Sequence, residues 1–344
     1  MSGIRKVNDL VGQFGNPDAY LTNYSYALMQ DDASFVAGVA SSQVSVEQEA
    51  GKYNVYNPGY FWRDEAKVRP LGGRPVQVAY GLDEDTYYAE EWALEHTIDD
   101  RQRRNVRGDR QINLDENATR LLTGKQMIRA DRLWADAFFK DGVWAMQVSG
   151  VAADPDEDAD EFLQWGDAAS NPINDIEEFK ERIRAATGME PNTLVLGANV
   201  RKRLKNHPDF IERVKYTSSA AITNAVMAAL FEVENVRVAR ALYNAAAERM
   251  PGDNKGGRDL RYIVDPNSAW LGYIDPNPTV NSPTAIANFA WTGLVPGQTN
   301  DFGGVMSRGR DGRAYTDWFH NRQAFGLKKV SDDLAVFIKD AVAG

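Results

Sequence analysis

The sequence predicts a fold of the α+β class, because helical and strand patterns both recur along one chain. The strongest helix pattern covers residues 114–139, where apolar side chains return mostly every three or four residues. The clearest strand is the apolar run at residues 193–196, which is too short for a buried helix and is entered from a proline. With 344 residues, 43% of them hydrophobic, the chain can bury a sizeable core in one large or two medium domains.

The helix predicted at residues 114–139 carries an apolar stripe that should face a core. Asn113 or Asp115 can cap its start, and Gly124 interrupts it at a cost of roughly 1 kcal/mol. At roughly 1.5 Å per residue the helix would be about 39 Å long, enough to cross a whole domain. Three large apolar side chains of this stripe are expected to be buried: Leu121, Trp134 and Phe138.

The strand at residues 193–196 is followed by two short helices. Val200 and Leu204 lie four residues apart, so they share one face of the first helix. His207 precedes a proline, and that position is driven out of the α region, so the first helix should stop there. Asp209 can cap the second helix. A capping or turn role is therefore expected for His207 rather than a catalytic one.

Residues 49–95 predict a long β-hairpin whose distal end is aromatic and basic. Val76, Val78 and Tyr80 alternate as in a strand, and proline and glycine cluster just before them. An isolated hairpin is marginal in water, so this one must lie either on its own domain or over a neighbouring subunit. The candidates for contact with a neighbour are Tyr60, Phe61, Trp62, Arg63, Lys67, Arg69 and Arg74.

The two ends of the chain carry weaker patterns. Residues 1–48 have little periodicity and many small polar side chains, which predicts an arm or a loosely packed extension. Residues 313–319 and 323–330 predict two strands paired with each other. Residues 331–343 predict a short closing helix or an extended tail.

Composition excludes several classes of protein. The absence of cysteine excludes disulfide and thiolate chemistry. No apolar run approaches eighteen residues and the opening stretch has no continuous apolar segment, so neither a transmembrane helix nor a secretory signal is predicted. The net charge of −10 fits a chain that lies near DNA without gripping it, and equally an ordinary soluble protein.

The candidate motifs for catalysis and metal binding are incomplete. Alternating aspartates at residues 152–161 are the best metal candidate, yet Ala159 and Trp165 stand where an EF-hand loop needs glycine and glutamate. The three histidines are far apart, and Thr123, Gly124 and Lys125 lack the upstream glycine of a phosphate-binding loop. The sequence predicts no catalytic residue, no cofactor and no metal site, so not an enzyme; cation binding by the acidic segment is left open.

A basic cluster begins just before the long helix with Arg101, Arg103 and Arg104. A nucleic-acid patch and ion pairing between subunits both fit such a cluster. Ion pairing is preferred, because arginine and aromatic side chains concentrate at protein interfaces and this chain is rich in tryptophan and tyrosine. The three arginines therefore join the candidates for contact with a neighbour.

Four motifs follow one another along the chain: Leu114 to Ala118 leading to Phe138-Phe139, Trp165-Gly166-Asp167, Ser170-Asn171-Pro172, and Leu204 with Asn206, His207 and Pro208. In this order, and over roughly residues 50–245, they resemble the major capsid proteins of tailed phages. The resemblance implies a Hong Kong 97-like capsid fold in four parts. These are an N-terminal arm at 1–48, an extended hairpin loop at 49–95, a peripheral domain at 96–168 and 308–344 built on the spine helix 114–139, and an axial domain at 169–307.

The resemblance also implies a function in assembly rather than catalysis. A major capsid protein is the structural subunit of the icosahedral shell that encloses a phage genome, built from hexamers and pentamers. The implied partners are further copies of the chain, portal, scaffold and decoration proteins, and double-stranded DNA enclosed without sequence-specific binding; no membrane is involved. The implied location is the virion, after assembly in the host cytoplasm. Two alternatives stay open: an encapsulin-like compartment shell and a soluble enzyme of unrecognised type.

Overall fold

The structure is a computed structural model that describes residues 30–55, 63–69, 71–78, 81, 83–106, 113–156, 159–214, 222–246, 259–279, 282–297 and 302–343. Its strands are β1 Ser42–Val46, β2 Ala50–Val55, β3 Asp83–Tyr88, β4 Glu90–Asp99, β5 Met146–Val151, β6 Glu161–Leu163, β7 Thr193–Gly197, β8 Asn235–Ala239, β9 Leu242–Asn244, β10 Leu260–Tyr262, β11 Ala269–Gly272, β12 Ile286–Trp291, β13 Val305–Asp311, β14 Thr316–Lys329 and β15 Ala335–Lys339. Its α-helices are α1 Asp100–Val106, α2 Leu114–Phe138, α3 Pro172–Thr187, α4 Ala198–Leu204, α5 Pro208–Val214 and α6 Asn224–Phe231. A 3-10 turn covers Asp32–Ser34.

A mixed six-stranded sheet forms one centre of the fold, in the order β6-β5-β15-β11-β7-β8. Because side chains alternate along a strand, Leu194 and Leu196 face one side of the sheet while Val195 faces the other. The first side is covered by helices α3 to α6, which contribute Ile176 and Leu204 to the same core. The second side, with Val195, belongs to the core around the long helix α2.

A second sheet has the order β1-β12-β14-β13, and β4 also pairs with β14. The 14-residue strand β14 pairs with β13 and β4 along its first part and with β12 at its end. Helix α2 packs on this sheet through Ala118 and Leu122, which contact Ile98 and Phe319. The long helix therefore joins the two sheets.

Helix α2 confirms the predicted helix to within one residue at its end. The side-chain oxygen of Asn113 caps it by accepting a hydrogen bond from the N–H of Glu116 at 3.3 Å. Trp134 and Phe138 are buried as expected. The expectation for Leu121 is wrong, because its side chain is 40% exposed. The buried line advances in four-residue steps through Leu122, and Leu121 lies about 100° round the helix from it.

Four aromatic rings from three parts of the chain meet where α2 ends. Trp134 lies 6.1 Å from Trp270 between ring centroids, at an interplanar angle of 84°, and 5.9 Å from Phe139. Trp144 lies 5.8 Å from Trp270 on the other side. Edge-to-face and tilted contacts of this kind contribute roughly 0.5–1.5 kcal/mol per pair beyond burial. They fix the end of the long helix to strand β11 of the six-stranded sheet.

The sequence predicts a loosely packed extension over residues 1–48. This prediction is wrong from residue 35 onwards. Val36 and Ala40 lie in the core around Trp134, and β1 pairs in parallel with β12. The cause is Asp131 of helix α2, whose carboxylate accepts hydrogen bonds from the N–H of Val36 at 3.0 Å and of Ala37 at 2.8 Å. Residues 1–29 lie outside the described part of the chain.

Two predictions near the C-terminus are also wrong. Residues 316–329 form one continuous strand, whose hairpin partner is β13; the residues predicted to open a first strand, 313–315, lie in the turn between them. Residues 335–339 form β15, a buried strand in the middle of the six-stranded sheet, rather than a helix or a tail. Ala335 to Ile338 are apolar on both faces because both faces of that sheet are covered.

The predicted hairpin at residues 49–95 is present at its base. Strands β2 and β3 pair antiparallel, from Ala50 opposite Tyr88 to Val55 opposite Asp83. Residues 76–78, predicted to begin a strand, have no strand pairing, and Tyr80 lies outside the described residues. The division into peripheral and axial domains stays a prediction. Strands from both proposed domains, β5 and β15 on one side and β7 and β8 on the other, share the six-stranded sheet.

The cluster around Trp134 generates a prediction about stability. Replacing Trp134, which is fully buried, by alanine should lower the free energy of unfolding by about 3–5 kcal/mol, because the removed ring leaves a cavity. Leu121→Ala on the same helix is the matched control and should cost less than about 1 kcal/mol, since that side chain is partly in solvent. Chemical denaturation of the isolated subunit measures both. Equal losses for the two variants would contradict the burial of the tryptophan ring.

Asp131 generates a prediction about pH. Burial raises the pKa of its carboxyl to about 7, although the N–H donors of Ala37 and Val36 act in the opposite direction. Between about pH 4 and 7 the folded chain therefore binds a proton that the unfolded chain has lost, so this group makes stability fall as pH rises through that window. Asp131→Asn cannot ionise. Its stability relative to the wild type should rise across the window, by about 1.4 kcal/mol for each step of one in pH.

Thermal unfolding of both proteins from pH 4.5 to 7.5 measures this difference. Asp141→Asn is the control, because Lys339 lowers the pKa of the Asp141 carboxyl and its titration therefore falls below that window. A stability difference between wild type and Asp131→Asn that does not change with pH would show that Asp131 ionises normally.

Candidate inter-subunit surface

The ribbon of β2 and β3 is fixed to the second sheet by aromatic side chains. Tyr53 and Tyr87 lie on the buried side of the ribbon and contact Phe289 of β12, with ring centroids 5.1 Å and 4.5 Å away, and Tyr87 stacks on it at 12°. The hydroxyl of Tyr53 donates to Asp85 at 2.9 Å, and the N–H of Thr86 also donates to that carboxylate. These donors lower the pKa of Asp85. The base of the hairpin is therefore held rigidly.

Gly51 is required on the same buried side of the ribbon. A side-chain carbon added there would come within 2.6 Å of the Tyr87 hydroxyl oxygen, closer than real contacts allow. The alternation of Gly51, Tyr53 and Val55 along one strand is a signal that the sequence analysis did not use. Nothing predicted the contact with Phe289, which is more than 200 positions away in the sequence.

The distal segment, defined as residues 63–78 without Pro70, lies in solvent. Val68 and Leu71 are fully exposed, at 97% and 107% of their reference area, and Val76 and Val78 are at least half exposed. Single exposed apolar residues are ordinary, but a run of them on one projecting segment marks an interaction surface. The hairpin therefore combines a fixed base with a distal segment in which Val68 and Leu71 are uncovered within the described part of the chain.

The structure places the predicted contact residues in two groups. Lys67, Arg69 and Arg74 are exposed on the distal segment, as is Arg63 at its start. Tyr60, Phe61 and Trp62 lie outside the described residues. The remaining three candidates, Arg101, Arg103 and Arg104, lie on helix α1 at the far end of β4 from the hairpin. The two groups therefore do not form one site.

Arg103 has its partners within the chain, which differs from the expectation of ion pairing between subunits. Its guanidinium lies 2.6 Å from a carboxylate oxygen of Asp115 on α2 and 2.8 Å from one of Asp317 on β14. Arg310 bridges Asp317 and Asp100, and this contact lowers the pKa of Asp100. The network joins α1, α2 and the second sheet. Within the described residues, the side chains of Arg101 and Arg104 make no ion pair.

His207 is buried at the joint between α4 and α5, and its predicted capping role is confirmed. Its Nδ1 accepts from the N–H of Asp209 at 3.3 Å, so its Nε2–H faces the carbonyl oxygen of Asp167 at 3.0 Å. The Ser170 hydroxyl lies 3.1 Å from the same nitrogen. Asp209 itself is not the cap. The motif residues around Asp167, Ser170 and His207 therefore meet in one structural joint.

Trp165 completes this joint from the other side. Its indole N–H donates to Asp175 of helix α3 at 2.8 Å, and its ring is fully buried. Burial raises the pKa of the Asp175 carboxyl to about 6, against the opposing effect of that hydrogen bond. A buried carboxyl with a shifted pKa can mark a catalytic site. Here its partner is an indole and its nearest elements are packed helices, so its role is to hold the fold.

The acidic segment was the best candidate for a metal. Among the described residues, no three His, Asp or Glu side chains come together as a metal site would require, and Asp158 lies outside them. Arg182 of α3 pairs with Asp160 at 2.5 Å. No helix in the described part of the chain is both long and apolar enough to cross a membrane.

Comparison with known proteins gives three kinds of similarity. The model of the family "Phage major capsid protein E" matches residues 158–295. The major capsid protein of Burkholderia phage BcepMu is 29% identical over 228 residues, which are 66% of this chain and 69% of that protein.

Among solved structures, a phage-related protein from Bordetella bronchiseptica RB50 superposes with a TM-score of 0.64 at 22% identity, over 94% of this chain and 97% of that one. The capsid of cyanophage P-SCSP1u superposes with a TM-score of 0.51 at 9% identity, over 87% and 86%. At such identities the structural likeness concerns the fold, which is the α+β fold of phage capsid proteins, the Hong Kong 97-like fold.

Proposed function

We propose that this chain, a phage major capsid protein, is the subunit of a closed icosahedral shell, in which its hairpin lies over a neighbouring copy. The single observation that carries the proposal is the uncovered distal segment on a rigidly held base. The side chains of Val68 and Leu71 are fully exposed in the single subunit, while Tyr53 and Tyr87 hold the β2–β3 ribbon against Phe289.

The interface that such a hairpin makes is heterologous, because the end of one subunit contacts a different surface of the next. Repetition of a heterologous contact closes a ring when the rotation between subunits divides the circle evenly. Hexamers and pentamers are the rings proposed here, and contacts between rings complete the shell. Each contact can be modest, because a subunit held by several neighbours at once gains from multivalency.

The four-part division of the chain fits this assembly. Residues 49–95 are proposed as the extended loop, residues 96–168 and 308–344 as the peripheral domain and residues 169–307 as the axial domain. Residues 1–48 are proposed as an arm only as far as about residue 34, since β1 and the turn before it belong to the core. Where the arm lies in an assembly is part of the proposal.

The electrostatics suit a shell that surrounds DNA. A net charge of −10 does not favour the release of counterions on which tight binding to a phosphate backbone depends. The proposed relation to the genome is therefore enclosure without sequence-specific binding. Portal, scaffold and decoration proteins are the further partners proposed, with assembly in the host cytoplasm before incorporation into the virion.

Deletion of residues 69–74 tests the role of the hairpin. The subunit should keep its thermal unfolding transition, because Arg69, Leu71, Gly72 and Arg74 are exposed and the one large apolar side chain among the described residues of this stretch, Leu71, is fully in solvent. Assembly into rings or shells should be lost, as measured by sedimentation and electron microscopy of protein expressed under assembly conditions. Loss of the thermal transition itself would mean that this segment is part of the core.

A substitution series separates contact from chain length. Val68→Ser with Leu71→Ser should weaken assembly, whereas Leu260→Ser, which changes a half-exposed leucine on β10, should leave it intact. Wild-type protein that remains monomeric at every concentration, under conditions where related shells assemble, would overturn the proposed function.

A further inference from the structure

We propose that the distal segment of one subunit binds the base of the hairpin of a neighbouring copy, where Tyr88 is flanked by Glu49 and Glu90. This inference rests on the proposed function and names the two surfaces that meet. Each surface combines an exposed apolar or aromatic centre with charge: the distal segment is basic from residue 67 onwards, and the base carries two glutamates.

The receiving surface lies on the solvent side of the ribbon. Tyr88 is 54% exposed, although it is a large aromatic residue at the end of β3. Its hydroxyl donates to Glu49 at 2.7 Å. Glu49 raises the pKa of this hydroxyl most, and the charge of Glu90, which is exposed two residues further along the chain, also raises it. We call Glu49, Tyr88 and Glu90 the acidic base.

The cations near the acidic base are paired with other acids. On the paired strands β2 and β3, the single cation is Lys52, and it is engaged by Glu84 at 2.5 Å. The next acid along β4, Glu91, is neutralised by Arg322 at 2.6 Å. Within the described residues, Glu49 and Glu90 have no cationic partner.

The inserting surface lies at the distal end of the same hairpin. Lys67, Arg69 and Arg74 carry positive charge, and no acidic residue stands between positions 67 and 78. Val68 and Leu71 lie among these cations and are fully exposed. In the proposed contact, the cations and apolar side chains of the distal segment face the glutamates and Tyr88 of the acidic base. A Lys or Arg side chain above the Tyr88 ring adds a cation–π attraction.

A second copy is the occupant that these surfaces fit, because one chain does not satisfy both. Val68, Leu71 and Tyr88 are all exposed in the single subunit, so the two ends of the hairpin do not cover each other within it. Along the chain, 18 positions separate Glu49 from Lys67 and 14 separate Arg74 from Tyr88, at up to roughly 3.3 Å per residue. Residues 67–78 are thus basic and the base of the hairpin is acidic, which sets a head-to-tail direction for the ring.

Charge reversal on each side, followed by mixing, tests the pairing. The end-reversed variant is Lys67→Glu with Arg69→Glu, and the base-reversed variant is Glu49→Lys with Glu90→Lys. Each alone should need at least a tenfold higher concentration to assemble, because like charges then face each other. Mixed in equal amounts, the two should co-assemble at the wild-type concentration in rings with an even number of subunits, since each reversed surface meets its complement on the other chain.

Three control variants distinguish the possible outcomes. Asp136→Lys with Glu212→Lys makes the same change of charge on exposed acids elsewhere and should assemble normally. Glu49→Gln with Glu90→Gln removes charge without reversing it and should weaken assembly less. A chain that carries all four reversals should assemble by itself. Circular dichroism and thermal unfolding check that each variant is folded.

The result that overturns this inference differs from the one that overturns the proposed function. If the four-reversal chain assembles but the mixture does not, the pairing lies within one chain. If neither reversed variant is impaired while the wild type forms shells, the hairpin contacts some other surface, and the proposed function stands. If the wild type forms no shells, both fail.

Discussion

The packing of helix α2 between the two sheets is the constraint on which the rest of the structure depends. Trp134 lies in a core that includes Val195 and Phe337 of the six-stranded sheet and Phe325 of the second sheet. The same core receives the N-terminal segment through hydrogen bonds from its backbone to Asp131. Interiors are packed as densely as crystals of small organic molecules, so a shift of this helix would have to move all three parts. The subunit can therefore act as a rigid building block.

Because the subunit is rigid, its exposed hairpin has a defined position. The hairpin is fixed at its base by Tyr53 and Tyr87 on Phe289, so the position of its distal end is constrained relative to the second sheet. A preorganised projection loses less conformational freedom on binding than a floppy one, and a contact of modest area is then sufficient. The ion pairs of Arg103 and Arg310 act at the opposite end of β4 and stiffen the subunit from within.

The residues that carry the resemblance to capsid proteins are mostly internal joints rather than contact surfaces. His207 caps α5 and contacts the carbonyl of Asp167, and Trp165 holds Asp175 of α3. Buried polar groups must be paired, so substitution at these positions is expected to cost stability. The hairpin's charged end and acidic base are exposed and are under no such constraint. Recognition of the fold therefore says little about which surfaces meet.

Elements with local signals could be predicted from the amino-acid sequence. The four-residue stripe and Asn113 cap specified α2, and the run at 193–196 specified β7, as found. Features that depend on partners distant in the sequence are seen in the folded chain alone. Leu121 is exposed while Leu122 is buried, β14 continues through residues predicted as a break, and Ala335–Lys339 completes a sheet begun by Met146–Val151. The physical reason is that strand pairing and the burial of a particular helix face are settled by contacts far apart in the chain, which no local pattern records.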